Sequence, residues 1–144
     1  VSCIQVPSNL ADMRFVEAGI FALAKEKRVR IMVRSVYLQG LVFAKQPPCH
    51  LANLPGLEVF LNEVNAFCEQ WNCSPQELAL SVACLYFDNA DILIGVETAS
   101  QLEETLTIFK RASKNLEIAS AWNKVTRTVT DELIDPRTWN EFKK

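Results

Sequence analysis

Short β-branched runs that alternate with full-length helical stretches constrain this chain more than any other feature. Ile4-Gln5-Val6-Pro7 leads through Ser8-Asn9 into a helical stretch from about Met13 to Lys27, whose apolar stripe is Phe15, Ile20, Phe21, Leu23 and Ala24. The basic residues Lys25, Lys27, Arg28 and Arg30 close it, where the helix dipole favours cations. Arg30 to Tyr37 is short, apolar and β-branched, and stops before Gln39-Gly40; it reads as a buried strand. Asp91 to Val96 is the third such run. Strands separated by whole helices must lie parallel, because the helix carries the chain back along the sheet. The fold class is therefore α/β, and an open doubly wound sheet and a (β/α) barrel both satisfy the pattern.

The intervening stretches carry their own signals. A Pro-rich connection, Gln46 to His50, precedes a helix from about Leu57 to Trp71 with Leu57, Phe60, Leu61, Val64 and Phe67 at helical spacing. Ser74-Pro75-Gln76-Glu77 is a helix start running to about Tyr86: the Ser hydroxyl accepts from the third helical N–H, Pro fits the first turn, and Glu reaches back. Thr98-Ala99-Ser100-Gln101 repeats that capping pattern and launches a helix to about Arg111. A further helix is expected over roughly Leu116 to Thr130, followed by a polar tail.

Composition narrows the function classes. The 144 residues are 49% hydrophobic and 22% charged, enough for one substantial core. A formal charge of −2 leaves no cationic excess for an extended phosphate surface, so nucleic acid is a poor partner. No apolar run approaches the ~20 residues of a membrane span and no charged-then-apolar leader is present, so the expectation is a soluble cytoplasmic protein without a membrane partner. Five cysteines, Cys3, Cys49, Cys68, Cys73 and Cys84, are an odd number without a close CxxC pair, which argues for reduced, mostly buried thiols and against zinc.

Four segments together resemble the second half of the aldo-keto reductase family. They are Ile4 to Leu10, Arg34 to Leu41, Ser74 to Leu80 and Ile94 to Leu102, in the family's order and at its spacing. The resemblance covers nearly the whole chain. It implies that residues 1–144 are the C-terminal portion of a single (β/α)8 TIM-barrel domain, with strands six to eight, their helices and the C-terminal extension. The chain would then begin on a strand, in the middle of the fold.

The same resemblance implies a cofactor site for NAD(P). Gln5 matches a glutamine that hydrogen-bonds the nicotinamide carboxamide, an amide pairing with an amide. Arg34 stands where the family usually stacks an aromatic residue on the nicotinamide; a guanidinium can stack on that ring, although its charge is a departure that also suits an acidic substrate or a carboxylate from the rest of the barrel. Ser35 follows it. Ser35, Tyr37, Gln39 and Gly40 border the loop after one strand, and Gly95 to Gln101 the next, where barrel phosphate sites form at a helix N-terminus. Members selective for the phosphorylated dinucleotide carry Lys and Arg where this chain has Gly95 and Gln101, with Glu97 between them beside Thr98, which weakens the case for the 2′-phosphate and leans slightly toward tolerance of NAD. Glu104 matches a residue near the adenine, and Thr105 replaces the usual Asn.

The family's catalytic Tyr, Lys, Asp and His fall on strands that match nothing here. Tyr37, Tyr86 and His50 offer no replacement, and Trp71, Trp122 and Trp139 read as packing anchors. Two functions compete. One is an NAD(P)-dependent oxidoreductase reducing small carbonyl substrates, of which this chain is the cofactor-binding half and by itself inactive. The other is a non-catalytic binding or self-assembling module derived from that barrel. Three parallel strands leave two edges to pair, so the expected partner is the remaining N-terminal half or a second copy in a homo-oligomer. The inner faces with Ile4, Val6, Ile31, Val33, Ile92 and Ile94 are expected to lack an opposing wall.

Overall fold

In a computed structural model, which describes residues 1–87, 89–125 and 129–143, the chain is a mixed α/β structure around a small parallel sheet. Strands β1 (Cys3–Pro7), β2 (Arg30–Arg34) and β3 (Ala90–Ile92) lie side by side in sequence order, all parallel. Ile4 aligns with Ile31, and Val6 with Val33 and Ile92, so these residues share one face. The other face carries Gln5, Met32 and Asp91 in register.

The first crossover differs from one continuous helix. It is split into α1 (Arg14–Glu17) and α2 (Ile20–Glu26) by Gly19, whose φ of 70° is a left-handed conformation that glycine enters without a Cβ penalty. Arg28 then takes φ 55°, and its N–H and that of Val29 bond back to Lys25 and Ala24, ending α2 in a Schellman turn. The expected apolar stripe is incompletely used. Ala24 is buried, Phe15, Ile20 and Phe21 are half-buried, and Leu23 is exposed.

Helices α3 (Leu57–Trp71) and α4 (Pro75–Tyr86) form the second crossover. The apolar positions of α3 named by their spacing, Leu57, Phe60, Leu61, Val64 and Phe67, are all buried. In α4 the Ser74 hydroxyl accepts from the Glu77 N–H at 3.1 Å, as its capping pattern requires. The Glu77 carboxylate pairs with Arg111 at 2.9 Å. Helix α5 (Ala99–Ala112) packs against α4 and is followed by α6 (Leu116–Trp122). The last helix ends eight residues earlier than its pattern suggests, in tightening turns where Lys124 and Val125 bond three residues back. Residues 126–128 of the expected helix lie outside the described residues. A short α7 (Asp131–Ile134) is capped by Thr130 and tied to the body through the Thr130 hydroxyl, which donates to the Pro55 carbonyl at 3.0 Å.

The strands are covered on one face, not both. Val6, Ile31 and Val33 are buried in the main core, so the apolar sheet face does have a wall, built by helices. The uncovered face is the polar one: Gln5, Arg30 and Arg34 are exposed, and Arg30 ion-pairs with Asp91 across it. Strand β2 alternates accordingly, with exposed Arg30 and Arg34 flanking buried Ile31 and Val33. Strand β3 is shorter than its apolar run, although the Leu93 N–H continues the ladder to the Val33 carbonyl at 2.8 Å.

Candidate cofactor site at the strand ends

Because the three strands are parallel, the segments that follow them gather at one edge of the sheet. The segment after β1 is buried and hydrogen-bonded on several sides. Asn9 accepts from the Ala11 and Asp12 N–H groups at 2.9 and 3.1 Å through Oδ1, an Asx turn. Its Nδ2 donates to the Ser35 carbonyl at 3.2 Å, joining this turn to the one after β2. Leu10 is fully buried, and its carbonyl accepts from the Trp122 indole at 3.0 Å. Asp12, also buried, is answered by Arg14 through two 2.9 Å bonds.

Strand β2 stops at Ser35, which takes φ 62°. Leu38, Gln39 and Gly40 are left-handed as well, with φ of 46°, 55° and 84°. Left-handed backbone costs a non-glycine residue roughly 1–2 kcal/mol, and such residues gather where the surrounding structure imposes them, often at sites. Here Leu38 is held by burial and Ser35 by Asn9. Tyr37 is half-buried, with its ring tilted against Phe43 at 5.0 Å. Gln76 Nε2 donates to the Tyr37 hydroxyl at 3.2 Å and to Thr105 Oγ1 at 3.1 Å, so one amide links this loop with α4 and α5. Burial pushes the Tyr37 phenol above its ordinary pKa, partly offset by those hydrogen bonds.

The turn after β2 and the chain after β3 enclose an open cavity of about 530 Å³. Ser35, Tyr37, Gln39 and Gly40 line one side, and Gly95 and Glu97 the other. Five of the residues selected from sequence, Ser35, Tyr37, Gln39, Gly95 and Glu97, therefore meet at one place. Ser35 and Gln39 also line a second cavity of about 730 Å³, bounded by Arg34, Asn9, Arg14 and Arg137, so the two share a wall. Arg14 is engaged by Asp12, and Arg137 by Asp135, whose carboxyl Arg137 holds down at about 2. Among the described residues, Arg34 has no carboxylate partner; it donates to Ser35 Oγ at 3.2 Å.

The remaining candidates surround this centre without lining it. Thr98 caps α5, with its hydroxyl accepting from the Gln101 N–H at 3.1 Å, while Gln101 Oε1 accepts from the Glu97 N–H at 2.7 Å. The return bond goes to Glu97, one residue before the Thr98 cap, and it draws the Gln101 amide back onto the loop. Glu104 is exposed one turn further along. Gln5 lies on the uncovered sheet face and lines neither cavity. Thr105 is buried and structural, through Gln76.

Sequence reading missed Asn9, Gln76 and Arg137, which position or bound the site. The Asn9-Leu10-Ala11-Asp12 turn was the one local signal available. Thiols are distributed differently from the expectation: all five are free, but Cys3 and Cys49 are exposed and only Cys68 is buried. Trp122 and Trp139 are buried anchors, as expected, whereas Trp71 is partly exposed against Phe67. Among the described residues, no cluster of three potential metal ligands occurs, and no helix is long and apolar enough to cross a membrane. No family model, curated protein or solved structure matches the chain.

Proposed function

We propose that residues 1–144 are the cofactor-binding C-terminal portion of an aldo-keto reductase-like (β/α)8 barrel, an NAD(P)-dependent oxidoreductase acting on carbonyl groups. The observation that carries this reading is the meeting of Ser35, Tyr37, Gln39, Gly95 and Glu97 around one cavity at the C-terminal ends of adjacent parallel strands. That is the edge at which barrel enzymes bind phosphate-bearing ligands. One-sided coverage of the sheet also favours a barrel over a doubly wound sheet. Parallel sheets are covered on both faces in finished folds, and a barrel supplies the second cover by closing on itself, so Gln5, Met32 and Asp91 would face its interior.

The residues present fit a dinucleotide in part. The Ser35 and Gln39 wall shared by the two cavities suits a ligand that extends from one into the other. Left-handed Gln39 and Gly40 bring backbone to the surface of the smaller one. Arg34, beside the larger, would meet the nicotinamide end or an acidic substrate. Gly95 and Gln101 offer no cation to a ribose phosphate, and Glu97 disfavours one, so NAD is the better fit. The bound cofactor would supply the hydride. This chain's residues would hold and orient it, and the general acid would come from strands matching other parts of the family, leaving residues 1–144 inactive alone. The two free strand edges would pair with those strands; pairing with a second copy is the competing, non-catalytic reading.

Amide NMR of the chain titrated with NAD tests the reading. Shifts should concentrate at residues 35–40 and 95–101, and their absence at millimolar ligand would overturn it. A Gly95→Lys, Gln101→Arg chain should gain about tenfold for NADP over NAD, about 1.4 kcal/mol, close to the lower end for one charge-assisted bond. A Cβ at Gly95 meets nothing within 4 Å, so the substitution has room. Unchanged relative affinities would remove this loop from the ribose.

A further inference from the structure

Helix α3 ends in a Schellman motif whose two paired positions are both cysteine. Asn72 takes the left-handed conformation, φ 48° and ψ 45°, and donates its N–H to the Glu69 carbonyl at 3.3 Å. The Cys73 N–H donates to the Cys68 carbonyl at 3.0 Å. This six-to-one bond defines the motif, and it brings the side chains of its first and last residues together, ordinarily as an apolar contact. Here both of those positions carry thiols, near enough for each to shift the other's titration. Both residues line an open cavity of about 560 Å³ with Lys45, Asn65, Asn72 and Ser74. Cys68 is buried and Cys73 is half-exposed, so a solute entering the cavity reaches Cys73 first.

We propose that Cys68 and Cys73 are an oxidation site, a pair that closes to an intramolecular disulfide when the protein meets a hydroperoxide. The Cys73 thiolate attacks the peroxide oxygen, breaking the O–O bond and forming a sulfenic acid, while the departing hydroxide takes a proton and leaves as water. The Cys68 sulfur then displaces the sulfenic hydroxyl, its thiol proton leaving with that oxygen as a second water. Two thiols and one hydroperoxide become one disulfide and two waters, or one water and an alcohol for an alkyl hydroperoxide.

The surroundings divide the two roles. The neighbouring Cys68 lowers the Cys73 thiol below its ordinary value, aided by Arg111 and opposed by burial and Glu77. The same proximity, together with burial, raises Cys68, keeping it protonated until it resolves the intermediate. The proposal stands apart from the cofactor reading and involves none of its residues.

Peptide mapping after hydrogen peroxide treatment tests it. Cleavage after glutamate at Glu63, Glu69 and Glu77 separates Cys68, in residues 64–69, from Cys73, in residues 70–77. After brief peroxide and alkylation, the two peptides should appear joined and two hydrogens lighter, and thiol reductant should part them. A Cys3→Ser, Cys49→Ser, Cys84→Ser chain should lose two thiols per molecule and form no disulfide-linked dimer. Cys68→Ser should instead leave Cys73 as a sulfenic or sulfinic acid. Recovery of both peptides singly alkylated while Cys3 and Cys49 are oxidised, or joining of Cys73 to Cys3, Cys49 or Cys84 instead, would overturn it.

Discussion

Replacing Trp122 with Phe should loosen the floor of the candidate cofactor site from a distance. Trp122 is 1% exposed, meets Phe67 edge-on at 5.1 Å, and donates its indole N–H to the Leu10 carbonyl at 3.0 Å. Phenylalanine keeps an aromatic ring beside Phe67 but loses this donor to a buried acceptor, which costs about 1–3 kcal/mol. The smaller ring also leaves a void in a core that relaxes only partly, adding about 1 kcal/mol. The sum is about 2–4 kcal/mol. At roughly 3 °C per kcal/mol for a chain of this size, the midpoint should fall by about 6–12 °C. Thermal and urea unfolding followed by near-ultraviolet circular dichroism measure the midpoint and the free energy, and hydrogen exchange should show faster opening at residues 9–13 before the rest. Trp71→Phe, at a partly exposed ring, is the control and should change stability by no more than about 0.5 kcal/mol. A loss at Trp122 no larger than that control would show that the indole does not secure the turn after β1.

Gly19→Ala should destabilise by about 1 kcal/mol, because alanine resists the left-handed backbone between α1 and α2 although its methyl meets no atom within 4 Å; a stabilised variant in the same urea titration would mean that the two helices fuse. For Tyr37, the folded pKa lies above the ordinary value of about 10, so folding favours the protonated phenol. Its contribution is complete below pH 10 and is lost as pH rises through the folded value; Tyr37→Phe should flatten the stability profile above pH 10, and an unchanged slope would assign that loss elsewhere.

Local signals determined much of the architecture before any long-range contact was considered. The spacing of Leu57, Phe60, Leu61, Val64 and Phe67, and the caps at Ser74 and Thr98, mark helices because their interactions span only three or four residues. The three β-branched runs likewise marked strands, and full helices between them required those strands to be parallel. Which face of each strand is covered was not legible. Ile31 and Val33 alternate with Arg30, Met32 and Arg34, but only packing against helices decides that the apolar set is buried and the polar set open. The site divides the same way. Ser35, Tyr37, Gln39, Gly95 and Glu97 were selected from sequence, yet the cavity between them depends on neighbouring strands whose paired residues, such as Ile31 and Ala90, lie 59 positions apart. Asn9 and Gln76 escaped notice because their partners lie 26 and 39 residues away, and a side-chain amide carries no sign of which distant carbonyl or hydroxyl it will meet. The cysteine pair lies between these cases. A separation of five residues is unremarkable along a chain, and becomes a contact only because Asn72 turns left-handed at the end of α3.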